Sequence, residues 1–206
     1  LTTTLYGLEV NNIAISILLL LFIFGISKAA VMHIHSWLPA AMVAPTPVSA
    51  LLHAVAVVKV GVFSIIKVLV YIFGLDILLG LLSVDFMIYI CGFTIITTSV
   101  IALKQDNLKK LLAYSTISQL SYVVIAILIL TPSAIIAASM HLVAHAVSKI
   151  TLFFAAGAIY SSTGYTKISE MDGIGKNLKV VSIAFTLGAM SLVGIPLLVG
   201  FTSKWY

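Results

Sequence analysis

Between Ser133 and Tyr160 the chain reads SAIIAASMHLVAHAVSKITLFFAAGAIY. A bilayer core is crossed by ~20 predominantly apolar residues in helical form, and this run is long enough. It does not alternate as a barrel strand does, so a helix that satisfies its own backbone groups in lipid is the reading. Within it His141, His145 and Lys149 are spaced by four, which turns each only ~40° from the last and spreads the three over ~12 Å of one helix face. Ionisable groups at that depth cost at least ~2.5 kcal/mol each. Two readings of the stripe stand: three polar groups hydrogen-bonded to neighbouring helices, or a proton relay, which explains why three titratable groups share one face.

Working outward, the 206 residues are 62% hydrophobic and 8% charged, with a mean hydropathy of +1.23. That leaves too little polar surface to cover a soluble globule, so the lipid bilayer is the expected solvent. About six runs have the length of a crossing: Asn12–Met32, Val48–Phe73, Phe86–Leu103, Lys110–Leu130, Ser133–Tyr160 and Leu178–Val199. The expected fold is therefore all-α, a polytopic transmembrane helix bundle. Residues 1–206 read as a fragment of one such domain truncated at both ends, since Leu1 stands where a start methionine would and the chain stops just after Lys204. The +5 formal charge does not indicate nucleic acid, because all 11 basic residues are lysines and several lie inside apolar runs. Cys91 is the single cysteine, excludes an intramolecular disulfide, and reads as packing.

If the spans alternate, Lys104, Lys109, Lys110, Lys167, Lys176 and Lys179 share one side, and the loops 104–110 and 162–179 are expected to be cytoplasmic. Imidazole donates from one nitrogen while accepting at the other, which suits His141 and His145 to proton hopping. A lysine at depth can hold a proton while a carboxylate is near and release it when that partner withdraws, because burial disfavours the charged form. Lys149 has that setting. Metal or haem binding by the histidine pair is the competing reading, but no further ligand lies in the span, so no metal and no cofactor is expected.

The second span adds His53 and Lys59, which face different neighbours. Lys59 is too deep to snorkel and reads as a relay member, whereas Lys67 sits nearer the span end, where snorkelling accounts for it. Lys28 ends the first span in Gly25-Ile26-Ser27-Lys28, before His33, His35 and Trp37, and Lys204 ends the last in Gly200-Phe201-Thr202-Ser203-Lys204. Helices interrupted at corresponding places are a mark of transporters built from repeats. All six acids fall in loops or at span ends, so a carboxylate from outside the fragment is expected to approach Lys28.

At these residues the chain resembles the antiporter-like subunits shared by Mrp cation/proton antiporters and complex I, NADH:quinone oxidoreductase. The stretches that carry the likeness are His35–Pro39 with Ala44–His53, Asn107–Gln119, His141–Lys149 and Gly200–Lys204, and they extend over nearly the whole chain. The resemblance implies a fold of about fourteen helices with two inverted repeats, each holding one broken helix. It also implies that Lys28, Lys149 and Lys204 are stations on a lateral proton wire, with His53, His141 and His145 between or beside them. Val58–Phe63 and Ser203–Tyr206 look closer to the D-type member of the Mrp antiporters than to complex I. On that branch the chain would serve a multi-subunit monovalent cation/proton antiporter in a bacterial inner membrane, exchanging protons for sodium. The alternative is a proton-pumping subunit of complex I, and on neither branch would the fragment hold a redox centre. A metal-dependent membrane enzyme and a purely structural subunit are the rivals outside the family.

Overall fold

The computed structural model of the chain describes residues 2–5, 8–26, 36–52 and 56–205. It opens on an antiparallel hairpin, β1 (Thr2–Leu5) paired with β2 (Leu8–Asn11). The hairpin precedes the first span, the membrane-spanning part being all-helical as expected, and the β-branched Thr2, Thr3, Thr4 and Val10 favour the extended backbone. α1 (Asn12–Gly25) follows at once, with the Asn11 side chain accepting the Ile13 N–H at 3.1 Å as a cap. The helix stops at Gly25, short of the expected Met32. Lys28, His33 and His35 lie outside the described residues, as does His53.

Proline shapes the next segment. α2 (Trp37–Ala40) tightens into a 3₁₀ turn at Ala41–Val43, and Pro45 and Pro47 then set the entry of α3 (Thr46–Ala50). Among the described residues the expected second span is covered by separate elements. α4 (Val57–Lys67) restarts after Ala56 and continues as a π-helix over Val68–Phe73, a wider winding that an apolar run does not reveal by its length or periodicity. α5 (Leu75–Leu78) is one turn. Three helices long and apolar enough to cross a membrane come next: α6 (Leu82–Leu103), α7 (Leu108–Leu128) and α8 (Pro132–Thr163). After a 3₁₀ turn at Ile168–Glu170 and α9 (Ile174–Asn177), α10 (Lys179–Val193) runs for 15 residues and is followed by α11 (Val199–Trp205). The expected last span, Leu178–Val199, is therefore a broken helix.

α8 has clear local start and stop signals. The Thr131 side chain accepts the Ala134 N–H at 3.3 Å, Pro132 sits in the first turn, and Gly164 at φ 76° ends the helix with its N–H on the Tyr160 carbonyl at 2.8 Å. α6 packs on α7, and α7 and α10 pack on α8. The larger core cluster joins Leu19 of α1, Val62 and Leu69 of the α4 and π segment, Met87 and Cys91 of α6, and Ile117 and Val124 of α7. On the other side of α6, Leu82, Phe86, Tyr89, Phe93, Ile96, Val100 and Leu103 are exposed at helical spacing. In water such a stripe would be an aggregation surface; in a bilayer it is the lipid-facing or helix-facing side.

The two lysine-bearing connections touch. Asn107 bridges to Lys167, the Leu108 N–H reaches the Thr166 carbonyl at 3.1 Å, and the Ser169 N–H and hydroxyl donate to the Asp106 carboxylate at 3.0 and 2.9 Å. Lys104, Lys109, Lys110 and Lys167 are thereby gathered at one end of the bundle. The Ser169 backbone and hydroxyl donors hold the Asp106 carboxyl below its usual range. A depressed carboxyl stabilises the folded connection above the unfolded carboxyl value, near pH ~4, and that contribution is lost as the pH falls through the folded value. The hydrogen-exchange protection factor of the Ser169 amide, measured against the unfolded-chain rate at the same pH, should fall in that acidic window, and Asp106→Ala should lower it already at neutral pH.

Candidate functional site

The periodicity of α8 brings its three titratable groups to a buried face: His141, His145 and Lys149 are 2%, 1% and 0% exposed. They are not isolated polar groups in an apolar wall, because partners arrive from α4, α7 and α11.

Lys59 of α4, itself buried, places Nζ 2.6 Å from His145 Nδ1. This contact has two proton placements with the heavy atoms fixed. An ammonium donates to an unprotonated Nδ1, or a protonated Nδ1 donates to a neutral amine. His145 Nε2 is buried and has no hydrogen-bond partner among the described residues. The imidazoles of His145 and His141 are stacked with centroids 6.2 Å apart and an interplanar angle of 28°.

His141 continues the chain. Nε2 lies 3.1 Å from Gln119 Oε1 and Nδ1 lies 2.9 Å from Ser203 Oγ, while Ser203 Oγ also lies 3.1 Å from the Gly200 carbonyl. Ser203 has one hydroxyl hydrogen and two acceptors for it. When His141 is neutral, Nε2 donates to Gln119 and the serine donates to Nδ1. When His141 is charged, Nδ1–H donates to Ser203 and the serine turns its hydrogen to Gly200. The same partners therefore satisfy both forms without moving a side chain, a property that a merely structural histidine does not need. The edge of Tyr122 closes the site at a centroid distance of 5.4 Å.

Lys149 reaches α7, where its ammonium donates to the Leu112 carbonyl at 2.9 Å and to the Ser115 hydroxyl. Lys204 of α11 donates to the Leu192 and Val193 carbonyls at 2.6 and 3.3 Å. These are carbonyls at the end of α10, left without helical partners by the break, and a cation there also meets the negative end of the helix dipole. The break itself is made by Gly194 at φ 89° and Leu197 at φ 79°, left-handed conformations that end regular helix.

Gly200 is required by this geometry, since a Cβ there would lie 1.8 Å from the Ser191 carbonyl oxygen. Gly200→Ala must push α11 off α10 and drag Ser203 and Lys204 with it. The displacement is expected even though the substituent is one methyl group, and a disulfide trap between the two helices checks it.

Among the described residues no carboxylate meets these lysines: the one ion pair is the exposed Lys167–Glu170 contact at 3.9 Å, and no group of His, Cys, Asp and Glu is arranged to hold a metal. Lys67 is exposed over the Phe63 ring at 5.2 Å, in keeping with a snorkelling role. Lys109 differs from a simple interfacial lysine, since it donates to the Ala44 carbonyl at 3.3 Å beside the Tyr160 ring. Gln119, Ser203 and Ser115 are site residues that spacing within α8 does not single out. The signal for those on α7 is the polar spacing of Ser115, Ser118, Gln119 and Tyr122 along one side of that helix.

All 206 residues match the family described as NADH:quinone oxidoreductase/Mrp antiporter, TM. Among curated relatives, NAD(P)H-quinone oxidoreductase subunit 5, chloroplastic, of Nuphar advena is 37% identical over 90% of this chain and 25% of its own length. The same protein of Carpenteria californica is 36% identical over 98% of this chain and 28% of its own. The chain thus spans about a quarter of the length of the curated relatives it matches. Among solved structures, a chain of the Mrp complex from Dietzia sp. DQ12-45-1b is 35% identical, with a TM-score of 0.77 over 92% of this chain and 20% of that one. A chain of the membrane-bound sulfane sulfur reductase, an archaeal respiratory membrane complex, is 28% identical, with a TM-score of 0.80 over 95% of this chain and 40% of that one. These relatives come from both arms of the family, and the named sequence relatives are oxidoreductase subunit 5 rather than the D-type Mrp protein. This chain belongs to the NADH:quinone oxidoreductase/Mrp antiporter transmembrane family.

Proposed function

We propose that the chain is a section of a proton-translocating subunit in a multi-subunit NADH:quinone oxidoreductase of the complex I type. The observation that carries the reading is the buried Lys59–His145 pair, a 2.6 Å contact between two protonatable nitrogens with no carboxylate beside it among the described residues. Such a contact is costly as a structural element and useful as a transfer step. Protons would pass between Lys59 and His145, then across the 6.2 Å between stacked rings by a bridging water. From His141 they would reach Ser203 and the neighbourhood of Lys204. Lys149 is the branch towards α7, and Lys28 and His53 complete the stations. The fragment supplies path and timing, while quinone reduction elsewhere in the complex supplies the energy.

The whole protein would sit in an energy-converting membrane with the lysine-bearing loops 104–110 and 162–179 on the cytoplasmic side, or its chloroplast equivalent. An Mrp-type antiporter is the second reading, supported by the 35% identity over 92% of this chain to a chain of the Mrp complex. Vesicles holding the complete assembly separate the two. Proton movement driven by NADH or NADPH oxidation with no need for sodium supports the oxidoreductase, and proton movement that requires a sodium gradient assigns the Mrp branch.

A further inference from the structure

At the lysine-bearing end the bundle holds a cavity of about 860 Å³ between the proline-rich turn, the start of α7 and the last turns of α8. That lies within the ~300–1,000 Å³ of sites that take a small organic molecule. Its lining divides by exposure. Met42, Leu108 and Ala156 form a buried apolar floor, whereas Lys110 and Tyr160 are exposed and Lys109 is half-buried between them. Among the described lining residues the charged ones are Lys109 and Lys110, both cationic. Asp106, Glu170 and Asp172, the acids nearest in sequence, lie outside the lining. The Asp106 carboxylate accepts from Ser169, and Glu170 pairs with Lys167. An ammonium has three hydrogens, and on Lys109 the Ala44 carbonyl takes one of them at 3.3 Å, with the Tyr160 ring 5.9 Å away. The first turn of α7 adds the positive end of a 21-residue helix. The rim is therefore electropositive over an apolar floor.

The level of the cavity in the membrane narrows the ligand. α8 has 32 residues, ~48 Å of helix, against a hydrocarbon core of ~30 Å. A helix of that length reaches the headgroup region, and lysines beside Tyr160 and Tyr165 mark this end as lying there. Phe154 lines the cavity and is 56% exposed, and from it an apolar stripe descends α8 through the exposed Val147 and Val143. Phe154 to Val143 is ~16 Å along the axis, the depth of one leaflet of that core. A cationic rim at headgroup level that continues into an apolar track one leaflet deep matches a lipid with an anionic headgroup. A soluble anion has no use for the track.

We propose that this cavity is a binding site for one anionic phospholipid, its phosphate drawn to Lys109 and Lys110 and an acyl chain running past Phe154 along α8. Basic pockets between transmembrane helices hold such headgroups, and each lysine near the phosphate adds to the preference over a zwitterionic lipid. The site is independent of the Lys59–His145 pair and of which assembly the chain serves.

The test uses the complete complex in phosphatidylcholine vesicles that carry a trace of phosphatidylglycerol or phosphatidylcholine, each with the same photoactivatable diazirine in an acyl chain. Mass spectrometry of the irradiated complex should find the phosphatidylglycerol probe on the peptides of Met42 and Phe154 at about ten times the yield of the phosphatidylcholine probe. Lys109→Gln and Lys110→Gln should each cut that preference roughly fivefold, and Lys104→Gln, an exposed lysine outside the lining, should leave it unchanged. The preference is read on the unaltered complex, so it decides the matter even where a variant fails to assemble. Equal labelling by the two probes makes the cavity a groove for any lipid and overturns the proposal. Loss of the phosphatidylglycerol label to inorganic phosphate, but not to chloride at equal ionic strength, assigns the rim to a soluble anion and overturns it too. No label on these peptides from either probe means that another part of the assembly covers the cavity, which overturns it as well.

Discussion

Lys149→Ala should lower driven proton translocation by roughly 100-fold, about 2.7 kcal/mol of barrier, while the protein still inserts and assembles. The separation of the two effects follows from the partners. Lys149 is wholly buried and its ammonium meets only the Leu112 carbonyl and the Ser115 hydroxyl among the described polar groups. Neither is stranded by the substitution, since the Leu112 carbonyl also accepts from Thr116 at 2.8 Å and Ser115 already donates to it at 3.1 Å. What disappears is the group there that can take up and release a proton. Lys149→Arg should not rescue transport, because a guanidinium keeps its charge and does not release its proton. Flux in reconstituted vesicles, read beside assembly on native gels, checks both statements.

The second large effect belongs to the Lys59–His145 pair. Lys59→Met retains the stem and its packing, as does His145→Phe, yet each removes one end of the 2.6 Å contact. Each should lower translocation by at least ~30-fold, and the double variant should be no worse than the poorer single one, because residues acting as one unit are not additive. Losses that multiply in the double variant would mean that the two act in separate routes.

The stripe of His141, His145 and Lys149 was legible in the sequence because helical periodicity alone puts residues four apart on one face. Lys59 was also legible, by its depth in an apolar run. Its partner was not, since the facing of α4 onto α8 is set by tertiary packing between residues 86 apart, which the periodicity of either helix leaves open. Ser203 illustrates the same limit: its value lies in reaching Nδ1 of His141 across 62 residues of sequence, which only the break at Gly194–Leu198 allows. The N-terminal hairpin went unread because a search for apolar runs passes over a short β-branched segment. The likeness to the D-type Mrp protein rested on two short segments, and the full chain is similar to oxidoreductase subunit 5 as well. Residues 27–35 and 53–55 hold Lys28, His33, His35 and His53 and lie outside the described residues, so the expected carboxylate near Lys28 stays a proposal for the longer protein.

Buried imidazoles that change protonation while protons move are the core of this mechanism. Infrared difference spectra of the working complex, with histidine ring-labelled by nitrogen-15, read that change directly. Imidazole bands should appear on turnover, shrink in His141→Phe and His145→Phe, and vanish in Lys59→Met. Sustained proton translocation with no change in any imidazole band would contradict the relay.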